Sequence, residues 1–194
     1  MPDYLPADII CVAPNGRWDI PGDIITLAET VPDNRCPKWS CHSAIVYDPA
    51  TIIEQLWKCE HNTISKYTQP GSQPAMVLRV ASWTDAQRQA AAGMAYGMIG
   101  SPYGVADVLA DAVDSAVSAI EGRDVVYARK GAPVATTRDC SVMVARCAAV
   151  NSWSFCGLSV SAVEPSDIYC DYMERPGEYE MVFCAESLRR YVSD

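Results

Sequence analysis

Two segments carry side chains able to act together as a nucleophile and its base. One is Thr136-Thr137-Arg138-Asp139-Cys140-Ser141-Val142-Met143-Val144, which reads as the start of a helix with a thiol in its first turn. The other is Trp39-Ser40-Cys41-His42-Ser43-Ala44-Ile45-Val46-Tyr47, the start of a strand with an imidazole at its head. A thiolate beside an imidazole attacks a carbonyl carbon and passes through an acyl-enzyme. At a helix start the thiol lies near backbone N–H groups without intrahelical partners and near the positive end of the helix dipole, and both favour thiolate. The same N–H groups face a developing oxyanion. The neighbouring Asp139 carboxylate opposes thiolate formation unless it caps the helix. Taken alone, Cys140 reads equally well as one of nine cysteines filling a core, and His42 as a structural histidine.

The elements that must position these groups supply the context. Ser43 to Tyr47 and Thr51 to Trp57 are β-rich runs joined by Asp48-Pro49-Ala50, a hairpin pattern. With that loop, Val46 faces Ile52 and Ala44 faces Glu54. His42 and Glu54 then become diagonal neighbours on one face, within reach of long side chains. Glu54 is flanked by Ile52, Ile53 and Leu56, an unfavourable place for a lone carboxylate, and orienting an imidazole would explain it. A slip of one residue would put the pair on opposite faces.

A metal site competes for the same region. Cys36, Cys41, His42, Cys59 and His61 are five zinc-ligand types close together, but their spacings match no common zinc ribbon or finger. No metal and no cofactor is therefore assigned. Gly97-Met98-Ile99-Gly100 lacks the Lys-Ser/Thr tail of a phosphate loop, and no Gly-x-Ser-x-Gly elbow occurs.

Whole-chain numbers narrow the classes. A chain of 194 residues with 49% hydrophobic and 20% charged residues is expected to be one domain with a proper core, not a disordered segment. A net charge of -9 and a pI of about 4.6 argue against nucleic-acid binding. No run has the length of a membrane helix, and Met1 to Asp8 has no basic, apolar leader pattern. Synthesis in the cytoplasm without a standard cleaved signal is expected. Nine cysteines, an odd count, point to mostly free thiols such as Cys11 and Cys184 in apolar surroundings. Strands are expected at Asp8 to Val12, Asp23 to Leu27, Met76 to Val80 and Glu180 to Ala185. Thr84 and Gln87 have capping-box spacing, opening a helix to about Ile99 that Gly100 and Pro102 stop. Further helices are expected over Val105 to Ile120 and Asp139 to Val150, with a short one opened at Pro165. The class is α+β, a small antiparallel sheet packed against helices.

The ordered motifs resemble those of permuted papain-like proteins of the NlpC superfamily, the YiiX/YebB-like group. Gly22-Asp23-Ile24-Ile25 resembles the family's opening strand, His42-Ser43-Ala44-Ile45-Val46 its histidine strand, and Ile52-Ile53-Glu54 the strand carrying its third polar residue. Gly100-Ser101-Pro102-Tyr103-Gly104 resembles its Gly-x-x-Tyr-Asp segment, Asp139-Cys140-Ser141 its Cys-Ser-Glu helix start, and Val163 to Ile168 its terminal Pro-x-Asp-Leu motif. The likeness covers about residues 20 to 170 in order. Gly104 stands where the family has Asp, and Val142 where it has Glu. The resemblance implies a circularly permuted papain-like fold, with N- and C-terminal extensions packed on the core. It makes Cys140 the nucleophile, His42 the base and Glu54 the orienting residue, with Tyr103 and Ser141 as substrate or oxyanion candidates.

The resulting expectation is a thiol hydrolase, an amidase or endopeptidase, acting on cell-wall peptides. A phage-type protein, either a virion tail component or a lysis enzyme, fits the missing leader. Rival expectations are a catalytically silent assembly protein with the same fold, an acyl-lipid or deamidase activity, and the zinc module. Substrate choice is assigned to the loops Asn62 to Pro74 and Glu121 to Ala135.

Overall fold

The computed structural model describes residues 2–14, 40–102 and 140–192. The expected strand at Asp23 to Leu27, the helix over Val105 to Ile120, the loop from Glu121 to Ala135, and Cys36, Tyr103 and Asp139 lie outside these residues.

The frame is a six-stranded antiparallel sheet: β1 (Ile9–Val12), β2 (His42–Asp48), β3 (Thr51–Gln55), β4 (Cys59–Thr63), β5 (Ala75–Val80) and β6 (Tyr179–Cys184), in the order β4-β3-β2-β1-β5-β6. Among the described residues the α-helices are α1 (Ser65–Thr68), α2 (Asp85–Tyr96), α3 (Cys140–Ala149) and α4 (Pro165–Glu174). The described residues are thus α+β, as the sequence pattern implies. β1 is Ile-Ile-Cys-Val, buried at every position, which suits a strand paired on both edges and covered on both faces.

The alternation of strand side chains sorts the sheet residues into two cores. Ile9, Cys11, Ile45, Ile53, Met76 and Leu78 form one with the helices; Ile10, Val12, Ala44, Val46, Ile52 and Val77 form the other. α2 and α3 pack on each other and on β2, and α4 packs on β1. The inner face of α2 includes Ala91, Ala92 and Ala95, small residues that allow close approach to α3, where Ala145 and Ala148 are buried. The opposite core is closed by Tyr4, Ile64 and Tyr67.

Local signals set several boundaries. The Gln87 N–H donates to Thr84 Oγ1 at 3.4 Å and the Thr84 N–H to Gln87 Oε1 at 2.9 Å, the expected capping box. α2 ends at Tyr96, short of Ile99, and the chain reverses through Gly100 at a φ of +85°, a left-handed value suited to glycine. Pro165 stands in the first turn of α4, and the Glu164 N–H donates to Asp167 Oδ2 at 2.7 Å.

Three differences from expectation have physical causes. β3 ends at Gln55, and a further strand, β4, follows the turn. Its residues, Cys-Glu-His-Asn-Thr, are polar because it occupies the sheet edge with alternate side chains exposed. The segment from Asn62 to Pro74 is not simply a loop, since it holds the end of β4 and α1. Seven of the described cysteines form no disulfide, in keeping with mostly reduced thiols, but Cys170 is disulfide-bonded. Cys11 behaves as a core residue, and burial pushes its thiol up to about 12.

Ile53 is 0% exposed in the helix-side core. Ile53→Ala is expected to lower the unfolding free energy by about 2–5 kcal/mol in urea denaturation. A loss below about 1 kcal/mol would remove Ile53 from the core.

Candidate functional site

The β2–β3 hairpin begins with its turn. Asp48 Oδ1 accepts the Ala50 N–H at 2.8 Å and the Thr51 N–H at 2.9 Å, so one carboxylate closes the connection. Pairing then runs Val46 to Ile52, Ile45 to Ile53 and Ala44 to Glu54, the register derived from the sequence. His42 and Glu54 fall on one face, and His42 Nε2 lies 2.9 Å from Glu54 Oε2. β2 is also tied to β1, with His42 opposite Val12, which fixes the head of the strand.

Glu54 is 0% exposed, and the described residues surround it with four donors. Oε2 accepts from His42 and, at 2.6 Å, from the Tyr67 hydroxyl. Oε1 accepts from Asn62 Nδ2 at 2.7 Å and from Lys66 Nζ at 2.6 Å. A carboxylate offers about four lone-pair sites, so its acceptor capacity is filled. The Tyr67 ring also lies 6.2 Å from the His42 ring, between centroids.

Cys140, the first residue of α3, meets His42 from the other side. It is 1% exposed, and its side chain lies near enough to act on the charge of the imidazole. With Nε2 directed at Glu54, Nδ1 is the ring nitrogen left for the sulfur. Burial by itself would lower the His42 pKa, but negative charge and hydrogen bonding from Cys140, then from Glu54, outweigh it and hold the imidazole up at about 10. Burial would likewise raise Glu54, but His42 and then Lys66 hold its carboxyl down at about 2. The Tyr67 hydroxyl is pushed up by burial and by Glu54, which keeps it a neutral donor.

The structure therefore brings Cys140, His42 and Glu54 together. Ser141 is directed elsewhere. It is buried, and its hydroxyl donates to the Val163 carbonyl at 2.6 Å, fastening α3 to the turn before α4. That proton is engaged within the protein, which counts against the Ser141 hydroxyl as an oxyanion donor. Tyr103 lies outside the described residues.

Asn62, Lys66 and Tyr67 are members of this site that the sequence reading assigned to a substrate-selecting loop or left without a role. The available signal was Glu54 itself. One imidazole cannot satisfy a buried carboxylate, so further donors had to come from the segment after β3.

Of the five zinc-ligand candidates, Cys36 lies outside the described residues, and the other four are engaged separately. Cys41 Sγ donates to the Val12 carbonyl at 3.6 Å, and Cys59 Sγ meets Met143 Sδ at 3.9 Å in the core. His61 packs among Tyr47 and Tyr96. Among the described residues no three metal-ligating side chains gather. No described helix is long and apolar enough to cross a membrane. No protein-family model matches the chain, and no curated protein matches it in sequence.

The two shifts have opposite pH signatures. His42 is raised from 6.5 to about 10, so its stabilising contribution is complete below 6.5 and is lost as pH rises through about 10. Glu54 is lowered from 4.5 to about 2, so its contribution is complete above 4.5 and is lost as pH falls through about 2. In denaturant titrations, the stability gap between the wild type and His42→Gln is expected to narrow as pH rises from 6.5 to 10. A constant gap across that window would contradict the assignment.

Proposed function

We propose that the chain is a cysteine hydrolase of circularly permuted papain-like fold that cleaves amide bonds, with cell-wall peptides as the first substrate class to test. The observation that carries this reading is the buried relay in which one imidazole stands between Cys140 and the Glu54 carboxylate. The order of the parts, with the histidine strand ahead of the cysteine helix, is the order the family resemblance implies. The substrate class rests on that resemblance, since thiolate chemistry by itself serves many acyl groups.

In the proposed reaction the Cys140 sulfur attacks the scissile carbonyl carbon and forms a tetrahedral oxyanion. In this reading backbone N–H groups in the first turn of α3 stabilise it. The C–N bond then breaks as the His42 imidazolium gives its proton to the departing amine nitrogen, leaving a thioester on Cys140. Neutral His42 next takes a proton from water, the resulting hydroxide attacks the thioester carbon, and the thiolate–imidazolium pair returns with release of the acid. Glu54 holds the ring in one orientation and favours its charged form. Virion association is a further part of the proposal, resting on the phage-type expectation alone.

The 1% exposure of Cys140 favours a second reading, an assembly protein that keeps the arrangement without turnover. One experiment separates the two. Purified cell wall is incubated with the protein, in its native assembly if it has one, and soluble fragments are measured. The wild type is expected to release fragments, Cys140→Ala to release none, and His42→Ala to be slower by on the order of 10²–10⁴-fold. No release by the wild type, together with full biological function in Cys140→Ala, would establish the assembly reading.

A further inference from the structure

Glu54 carries more positive charge than one imidazole requires. His42 Nε2 is at 2.9 Å from one of its oxygens, and Lys66 Nζ is at 2.6 Å from the other. Lys66 comes from α1, the four-residue helix after β4, and its ammonium also lies 5.1 Å from the centroid of the Tyr67 ring. The helix is tied to the hairpin it serves. The Ile64 N–H donates to the Ala50 carbonyl at 3.0 Å, and Ser65 Oγ donates to Thr63 Oγ1 at 3.0 Å.

We propose that Lys66 is a positioning residue of the site, supplying the second positive charge that lets the Glu54 carboxylate and a Cys140 thiolate share a single imidazolium. This inference rests on the reading of Cys140, His42 and Glu54 as a reactive triad. The argument is one of charge count under burial. Glu54 and Cys140 are 0% and 1% exposed. With both ionised and only His42 positive, the buried group would carry a net negative charge, which is strongly unfavourable away from water. Lys66 brings the sum to zero while its own side chain stays 37% exposed, so it remains partly hydrated.

Among the described residues, the other groups facing the site do not replace it. On β4, Asn62 is neutral, and Glu60, the cross-strand partner of Glu54, adds negative charge. Glu60 lies 3.8 Å from Lys58 Nζ, an exposed pair. On α1, Tyr67 contributes a neutral hydroxyl. Cys41, beside His42 in the chain, is buried against Val12.

The geometry divides the work between the two carboxylate oxygens. Lys66 and Asn62 hold Oε1, while His42 and Tyr67 hold Oε2. The carboxylate cannot turn without breaking the Lys66 contact, so Lys66 acts on His42 through Glu54 and touches no reacting atom.

The test is the rate of Cys140 alkylation by iodoacetamide across pH, read residue by residue by mass spectrometry. In the wild type Cys140 is expected to react much faster than Cys11, with a rate that falls on the acid side as the sulfur protonates. Lys66→Met, and Lys66→Gln which keeps a donor without the charge, are expected to move that acid limb to higher pH. Lys66→Arg is expected to restore it. An unmoved limb in either uncharged variant, or a loss of rate equal at every pH, would overturn the proposal and leave Lys66 a structural role. Failure of the triad reads differently, as a wild-type Cys140 no faster than Cys11, and that result overturns both.

Discussion

The carboxylate of Glu54 is the group around which this site is organised. A charged side chain with no exposure, set in a strand directly after Ile52 and Ile53, would be strongly destabilising without partners. The protein answers with four donors drawn from three elements: His42 from β2, Asn62 from β4, and Lys66 and Tyr67 from α1. Those bonds explain why a polar edge strand and a four-residue helix are held where they are. They also explain why the imidazole of His42 has one orientation, with its second nitrogen left for Cys140.

The sheet makes this possible by controlling register. Because side chains alternate, a slip of one residue between β2 and β3 would send Glu54 into the helix-side core and His42 away from it. The Asp48 turn and the full burial of Ile45, Val46, Ile52 and Ile53 oppose that slip. Two further buried carboxylates secure the periphery by the same chemistry. Asp8 is gripped by Arg79 through Nε and Nη2, both at 2.8 Å, which joins the N-terminal segment to β5. Asp171 accepts from the Cys156 N–H at 2.7 Å, from Arg175 and from Tyr179, which joins α4 to β6. Among the described residues neither is bonded to an imidazole, so each reads as a structural tie.

Much of the frame could be read from residue types. The hairpin register followed from the length of the Asp48-Pro49-Ala50 connection, and the α2 start from the spacing of Thr84 and Gln87. Cys140 and His42 were visible because a thiol at a helix start and an imidazole at a strand head are recognisable patterns, and Glu54 because it interrupts an apolar strand. β4 was not visible, because an edge strand whose one buried residue is Cys59 has no apolar run to mark it. Lys66 and Tyr67 were hidden for a related reason. α1 is too short to show a helical period, and nothing local marks its side chains as facing inward. The bond from the Ser141 hydroxyl was hidden because its partner, the Val163 carbonyl, is distant in sequence. The disulfide of Cys170 likewise depends on tertiary proximity, which cysteine count and local context do not report.

The central claim is that His42 is held as an imidazolium between Glu54 and Cys140. The most direct measurement is the ¹⁵N NMR spectrum of the two histidine rings, assigned with a His61→Gln variant and followed from pH 6.5 to about 10. The account predicts that both nitrogens of His42 stay protonated across most of that window, and that Cys140→Ala lowers the pH at which the ring loses its charge. A His42 ring already neutral at the start of the window, or one indifferent to Cys140→Ala, would contradict it.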